Sequence, residues 1–261
     1  MIKTKRIGNI STRVPKNQAQ NLYINVLTWH NEKHANGSKY HVFSPYYLKT
    51  DGQEEQKNDG GVLFENFWQG SKVWPIYYDI SVWAHTGLRG IEKHLWFRYI
   101  CSNNLGQEKH FDTDTVQPEY FKWRDAVFKC SHPIRYPNGY KRKSHVAFSL
   151  LINSDGTEER LSYIEARKKI YVKEYGRLVR KLPEYAELKE KLLNNYTLHI
   201  CECDVPDNQE ITLEKLEEMV NDPKIRFGHG LCLAWELLKD LKDLKNEDEK
   251  EEKAEKIKNA M

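Results

Sequence analysis

The sequence predicts an α+β fold, a single domain in which a small mixed sheet is surrounded by helices. Residues 196–205, YTLHICECDV, are rich in β-favouring and buried residue types and form the best candidate for a central strand. Residues 165–182 repeat apolar side chains at helical spacing, which predicts an amphipathic helix. With 261 residues, of which 39% are hydrophobic, the chain can bury a real core. We therefore expect one domain over residues 1–245 and a charged tail over residues 246–261.

Two strands and an aromatic helix are predicted in the N-terminal part of the chain. Residues 1–20 are basic and polar and show little periodicity, whereas residues 21–29 alternate like a strand. An Asn-Gly dipeptide then predicts a hairpin turn, and residues 41–48, HVFSPYYL, predict the second strand. A polar loop with two Asp-Gly steps leads into residues 64–74, FENFWQGSKVW, where a helix is expected.

Elements are harder to place in the middle of the chain than near its end. Residues 76–145 are rich in Trp, Tyr and His but have poor periodicity, so no element is predicted there. Residues 145–164 predict an apolar strand, an Asp-Gly turn and the approach to a helix. Pro183 suits the first turn of the following helix, and Thr212 is a candidate cap for a short one. A Gly-His-Gly turn at residues 228–230 precedes the last helix.

Composition and charge exclude several classes of protein. The formal net charge of +3 is small for this length, so the molecule is not a polycation, although residues 134–145, IRYPNGYKRKSH, form a basic cluster. No run has the length and apolarity of a membrane span, and the N-terminus lacks a secretory signal, so a soluble cytoplasmic protein is expected. The five cysteines have no spacing typical of zinc ligands, so we expect them to be reduced and structural, with no metal site.

A polar stripe crosses the aromatic segment at residues 64–74. Glu65, Gln69 and Lys72 stand at i, i+4 and i+7, so on a helix they share one face, with Trp68 at its edge. In one interpretation this stripe is the solvated face of a packed helix. In the other it lines a pocket in which a carboxylate and an amine do chemistry.

The order of the motifs resembles a known family. Residues 65–72, E-x-F-x-Q-x-x-K, are similar to the E-H-Y-x-Q-x-x-K signature of the NADAR superfamily of YbiA-like N-glycosidases. Residues 43–47, FSPYY, resemble that family's F-S-N-F-Y strand. Residues 198–202, LHICE, resemble the strand that ends in its L-x-E-A element, and residues 227–231, FGHGL, resemble its W-G-x-G-L turn. The resemblance implies the α+β fold of that family and covers about half of the chain.

The chain departs from the family pattern at several positions. Asn66 replaces the histidine of the signature, and Phe227 replaces the tryptophan of the turn. The acidic residue expected before that turn is not matched at Lys224, and Asp222 is the nearest one. Residues 76–145 form a large insertion relative to the compact family, so the chain resembles a divergent branch.

The resemblance implies hydrolysis of an N-glycosidic bond in a ribosylamine intermediate or an ADP-ribosylated base, without a metal or cofactor. Glu65 is the main candidate acid/base, because a carboxylate can stabilise an oxocarbenium-like state or take a proton from water. Lys72 can bind a phosphate, protonate the leaving group or, with a depressed pKa, attack the opened sugar. Glu202 is the second candidate catalytic carboxylate. A structural ion pair of Glu202 with Lys72 or an arginine is equally compatible with the sequence.

The residues predicted to bind substrate are Tyr46, Trp68, Gln69, Arg135, Asn138, Phe227, Gly228, His229 and Gly230. Trp68 can stack on a base, and the turn at residues 228–230 offers backbone N–H groups to a phosphate. Arg135 and Asn138 belong to a Pro-Asn-Gly loop that can bind a nucleotide phosphate. A packed tryptophan, an ordinary helix-entry turn and a solvated basic loop are the structural alternatives.

Two other functions are compatible with the same residues. The first is a non-catalytic module of this fold that binds a nucleotide or a modified nucleic acid. The second is a DNA-processing enzyme that uses the basic cluster at residues 134–145, whose affinity for DNA would fall steeply with salt. In each case the expected partner is a nucleotide, an ADP-ribosyl small molecule or a nucleic acid, and no membrane is involved.

Overall fold

Strands and helices both occur in the computed structural model, which confirms the α+β class. The structure describes residues 1–8, 14–27, 38–50, 61–73, 76–78, 108–110, 116, 118–129, 133 and 146–260. The chain divides into two compact units. Unit 1 comprises Met1–Ser44 and Tyr175–Met261, and unit 2 comprises Pro45–Glu174. The expected single domain over residues 1–245 stays a prediction.

The described strands follow one another from the N-terminus to the last quarter of the chain. They are β1 (Ile2–Arg6), β2 (Asn21–Asn25), β3 (Lys49–Thr50), β4 (Val62–Leu63), β5 (Lys72–Val73), β6 (Ile76–Tyr78), β7 (Glu108–His110), β8 (Phe148–Ile152), β9 (Glu158–Leu161) and β10 (Thr197–Glu202).

The described helices are concentrated in the second half of the chain. They are α1 (Phe64–Gly70), α2 (Pro118–Phe128), α3 (Tyr163–Ala166), α4 (Lys173–Val179), α5 (Pro183–Leu193), α6 (Leu213–Asn221) and α7 (His229–Ala260). A π-helical segment, Arg167–Val172, joins α3 to α4.

The core of unit 1 is a parallel sheet with the strand order β1-β10-β2. The predicted central strand at residues 196–205 is confirmed as β10, where Leu198 and Ile200 are fully buried. Helices α5 and α7 pack on it. Strand β1 was not predicted, because Ile2 and Thr4 alternate with lysines and only one of these two buried residues is apolar.

The predicted strand at residues 41–48 is wrong. Lys39–Phe43 forms a 3₁₀-helix instead, and residues 45–47 form a turn. The side chain of Ser38 accepts a hydrogen bond from the backbone N–H of Tyr40 and caps this helix. Tyr40 and Phe43 stand three residues apart and are both buried, a spacing that places two side chains on one face of a 3₁₀-helix but on opposite faces of a strand.

Unit 2 contains an antiparallel sheet with the strand order β5-β8-β9. The apolar strand predicted within residues 145–164 is confirmed as β8. The part expected to approach a helix is instead strand β9, which is hard to recognise because Leu161 is its only buried residue. Its helix begins afterwards, where Ser162 and Glu165 form a capping box.

The remaining helices agree with the sequence pattern. The segment predicted at residues 165–182 is helical from Tyr163 to Val179, with the π-helical segment inside it. Pro183 occupies the first turn of α5, and the Thr212 side chain accepts a hydrogen bond from the N–H of Lys215 at the start of α6. Helix α7 continues to Ala260, through the predicted tail.

Candidate functional site

Helix α1 begins and ends against defined partners in unit 2. At its start, the backbone N–H of Phe64 donates to the carbonyl of Leu48 over 2.8 Å, and that of Glu65 donates to Pro45 over 3.0 Å. These bonds satisfy donors that no earlier turn of the helix could satisfy. At its end, the Tyr120 hydroxyl donates to the Gly70 carbonyl over 2.8 Å. Both ends of the helix are therefore held by hydrogen bonds, which fixes the position of its polar side chains.

A chain of hydrogen bonds joins the three residues of the predicted polar stripe. Gln69 Nε2 donates to Glu65 Oε1 over 2.9 Å, and Lys72 Nζ donates to Gln69 Oε1 over 2.9 Å. The spacing had placed Lys72 on the helix. Helix α1 ends at Gly70, however, and Lys72 lies on strand β5. With Trp68, these residues form what we call the Glu65 cluster.

The surroundings of Lys72 lower the pKa of its amine relative to that of a lysine in water. Burial lowers the pKa of Lys72 from 10.5 to about 8, and the nearby Glu65 carboxylate only partly opposes this change. The ammonium lies 4.5 Å from the centre of the Trp68 ring. Glu65 is itself only 9% exposed. A buried carboxylate and an amine with a lowered pKa are the groups that proton transfer near neutral pH requires.

Trp68 is largely packed by its neighbours. The edge of its ring meets Tyr171 of the π-helical segment, with ring centroids 5.1 Å apart and planes at 62°. Tyr171 also contacts Phe64, at 5.1 Å. These contacts support the interpretation of Trp68 as a core residue with the Lys72 ammonium on its face. Its predicted stacking on a substrate base is not tested by the structure.

A second buried carboxylate lies in unit 1, at the end of strand β10. Glu202 is 3% exposed, and its Oε2 accepts a hydrogen bond from the backbone N–H of Gly230 over 2.9 Å. Its Oε1 lies 3.1 Å from Nδ1 of His229. We call Glu202, His229 and the glycines beside this histidine the Glu202 cluster. The partner of Glu202 is therefore a histidine, where the sequence suggested a lysine or an arginine.

The contacts of His229 require one proton in the His229–Glu202 pair in addition to the hydrogen on Nε2. Nε2 of His229 is 3.1 Å from the carbonyl oxygen of Val26, which can only accept, so Nε2 carries a hydrogen. A hydrogen bond between Nδ1 and Glu202 then needs one more proton, on the imidazole or on the carboxyl group. The pair is either an imidazolium with a carboxylate or a neutral imidazole with a carboxylic acid.

The predicted phosphate seat at residues 228–230 is filled by a side chain of the protein. Gly230 N–H points at Glu202, and a Cβ added to Gly228 would collide with the same carboxylate. Phe227 is buried and meets the ring of Trp235 at 5.8 Å. The turn therefore binds an oxygen ligand, as expected of a helix start, but here the ligand is the carboxyl group of Glu202.

The structure brings the predicted site residues together in two groups. Glu65, Trp68, Gln69 and Lys72 are in contact within unit 2, which also contains the partly buried Tyr46. Glu202 contacts residues 228–230 within unit 1, which also contains the buried Phe227. Arg135, Asn138 and most of the predicted insertion lie outside the described residues.

Sequence reasoning missed the supporting residues. Tyr171 and the Val26 carbonyl contact the predicted site residues Trp68 and His229, and Tyr120 holds the end of helix α1 at Gly70. Tyr171 lies within the helix predicted at residues 165–182, whose apolar spacing does not show that it contacts Trp68. A backbone carbonyl such as that of Val26 leaves no trace in the identity of the residue.

Comparisons with known proteins give no relative. No protein-family model matches the chain, and no match is found among curated proteins or solved structures. Within the described residues, no cluster of three or more His, Cys, Asp or Glu side chains is placed to hold a metal ion. Among the described helices, none combines the length and apolar composition that a membrane span requires.

Proposed function

We propose that this protein hydrolyses an N-glycosidic bond in a nucleotide or an ADP-ribosylated nucleoside. The observation that carries the proposal is the Glu65 cluster, where a buried carboxylate is joined through Gln69 to a lysine whose pKa is about 8. The motif similarity to YbiA-like N-glycosidases supports the choice of bond. The proposal needs no metal or redox cofactor.

The two ionisable groups can divide the work of hydrolysis. The bond between the sugar carbon and the base nitrogen breaks with its electron pair going to nitrogen, which takes a proton from the Lys72 ammonium. Glu65 stabilises the positive charge left on the sugar and accepts a proton from the attacking water. Glu65 then releases its proton and Lys72 regains one, so the net reaction adds one water molecule across the bond.

A variant of this mechanism uses Lys72 as a nucleophile. With a pKa of about 8, a substantial fraction of the amine is neutral just above neutral pH and can form an imine with the opened sugar. Sodium borohydride would reduce that imine to a stable adduct on Lys72, which mass spectrometry detects. No adduct is expected if Lys72 acts only as a proton donor.

Glu202 has a structural role in this proposal. Its two carboxylate oxygens are engaged by the Gly230 N–H and by His229, within the fold of unit 1. These contacts favour the structural interpretation over the catalytic one. Its catalytic role stays a prediction outside the proposed mechanism.

The experiment that tests the proposal is a search for a released base. The protein is incubated with ADP-ribosylated nucleosides and with ribosylamine nucleotides, and the products are identified by mass spectrometry. Release is expected from the wild type, and it should be lost in Glu65→Gln and Lys72→Met. Glu190→Gln, which changes an exposed glutamate of α5, is the matched control and should keep full activity.

The outcomes separate the candidate functions. Binding of these compounds without release by any variant would support the non-catalytic module instead. Release that persists in both Glu65→Gln and Lys72→Met would contradict the assigned roles. If the protein neither binds nor cleaves compounds of either substrate class, the proposal as a whole is contradicted.

A further inference from the structure

A groove with a volume of about 710 Å³ lies in unit 1, beyond the carboxyl ends of strands β1 and β10. Arg6, the last residue of β1, pairs in register with Glu202, the last residue of β10, and Cys203 follows directly. The volume falls within the range of about 300–1,000 Å³ that is typical of small-molecule sites. The carboxyl edge of parallel strands is also where ligands commonly bind in sheets of this kind.

The charges that line the groove are mainly positive. Arg6, Lys224 and Arg226 contribute three cations, and Asp204 contributes the opposing carboxylate. Arg226 Nη1 is 3.0 Å from Asp204 Oδ1, while the side chain of Arg226 is 84% exposed. Arg6 is anchored by its Nε, which donates to the Val205 carbonyl over 2.8 Å. This anchoring fixes one guanidinium group at the edge of the groove.

The remainder of the lining is largely apolar. Val205, Met219 and Ile225 face the same groove as the three cations. Guanidinium groups present paired N–H donors that match the oxygens of a phosphate. An apolar surface beside them suits the ring of an attached organic group.

We propose that this groove binds a small organic phosphate of about the size of a mononucleotide. The phosphate lies against Arg6, Lys224 and Arg226, and the organic part lies on Met219 and Ile225. This site goes beyond the proposed function, because all of its residues belong to unit 1 and none takes part in the chemistry assigned to Glu65 and Lys72.

Alkylation of Cys203 offers a direct measurement of occupancy. Cys203 lines the groove, is partly exposed and is not in a disulfide, whereas Cys201 and Cys232 are fully buried. The full-length protein is treated with iodoacetamide, and the adduct on each cysteine is quantified by peptide mass spectrometry. AMP is expected to slow the reaction of Cys203, and adenosine at equal concentration is not. Unchanged low labelling of Cys201 and Cys232 shows that the protein stays folded.

Variants in the groove sharpen the test. Arg226→Ala is expected to weaken AMP binding about tenfold, because it removes a phosphate donor and leaves Asp204 unopposed. Asp204→Asn should strengthen binding, because it removes the competing carboxylate. Lys242→Ala, which removes an exposed cation of α7 that does not line the groove, is the matched control and should leave binding unchanged.

Three results would overturn this inference. The first is that neither AMP nor ribose 5-phosphate slows the alkylation of Cys203. The second is that adenosine protects Cys203 as well as AMP does, which would remove the role of the phosphate. The third is that Lys242→Ala weakens binding as much as Arg226→Ala, because the effect would then come from net charge alone. These three measurements do not depend on glycosidic cleavage, so the groove can be tested whether or not Glu65→Gln loses that activity.

Discussion

The two buried carboxylates of this protein are held by different kinds of group. Glu65, in unit 2, is bound by the side-chain amide of Gln69, which in turn binds Lys72. Glu202, in unit 1, is bound by the backbone N–H of Gly230 and the ring of His229. Side chains held by other side chains can adjust when a substrate arrives, whereas a carboxylate held by backbone is fixed with the fold.

The two clusters differ in the property that each contributes to the protein. The Glu65 cluster contains an amine whose pKa has moved toward neutrality, which is a common property of reactive sites. In the Glu202 cluster, the carboxyl group accepts a hydrogen bond from a backbone N–H at the start of helix α7 and so links that helix to the end of strand β10. We expect substitutions in the first cluster to change turnover and those in the second to change the free energy of unfolding.

The largest expected effect is the loss of turnover in Glu65→Gln. Removal of a general acid/base typically lowers the rate by roughly 10²- to 10⁴-fold. The amide keeps the size of the carboxylate, so the free energy of unfolding should change little. Base release by mass spectrometry and urea denaturation measure the two quantities. Glu202→Gln should show the reverse pattern, and equal losses of turnover in the two variants would contradict the separate roles assigned to the two carboxylates.

The next effect is a loss of stability in Gly228→Ala. The added Cβ collides with the Glu202 carboxylate, and overpacking of this kind typically costs about 1–3 kcal/mol. Urea denaturation should show this decrease in the free energy of unfolding. Gly8→Ala is the matched control, because a Cβ at that position meets nothing within 4 Å. A fully stable Gly228→Ala variant would show that the cluster tolerates displacement of Glu202.

A pH-dependent difference between the wild type and Lys72→Met should follow. The pKa of Lys72 is about 8 in the folded protein and 10.5 as an ordinary lysine, so between these values the unfolded chain binds more protons. The contribution of Lys72 to the free energy of unfolding is therefore least favourable below pH 8 and improves as the pH rises toward 10.5. Urea denaturation from neutral pH upward should show this relative rise in the wild type. A constant difference from Lys72→Met would contradict the lowered pKa.

The smallest change in the electrostatics of the Glu65 cluster is expected from Trp68→Phe. The phenyl ring is a weaker partner for an ammonium than the indole ring, and this weakening of the cation–π interaction with Lys72, apart from the packing lost with the larger ring, should stay below about 1 kcal/mol. Because the indole stabilises the charged form of Lys72, the pKa of Lys72 should fall further in this variant. Acylation of Lys72 as a function of pH, followed by peptide mass spectrometry, measures that shift. A rise of the pKa would mean that solvation, and not the ring, controls this amine.

The sequence predicted the elements whose apolar pattern is long or distinctive. Strand β10, the helix from Tyr163 to Val179 and the cap at Thr212 are confirmed. Strands β1 and β9 were missed, because each is short and has charged residues on its exposed face. For β1 the pairing partner is β10, which is remote in sequence, and for β9 it is the adjacent strand β8; in both cases pairing, and not local pattern, decides the conformation.

The candidate site was predictable in its members but not in its contacts. The spacing of Glu65 and Gln69 anticipated their hydrogen bond, because residues four apart meet on a helix. The spacing placed Lys72 on the same helix, but the helix ends at Gly70. Lys72 nevertheless donates a hydrogen bond to Gln69, from its position on strand β5. The link between Glu202 and His229 depends on how strand β10 meets helix α7, which local spacing does not reveal.

The strand order β1-β10-β2 has a consequence for how the protein is made. Strands β1 and β2 are synthesised before β10, with which both pair and which follows more than 170 residues after each of them. Neither strand has its neighbour until the ribosome has passed Glu202, and pairings between such distant segments form slowly. During that interval the unpaired backbone of both strands is open to other chains. A nascent chain that stalls before β10 would therefore be a substrate for chaperones before it could become a folded protein.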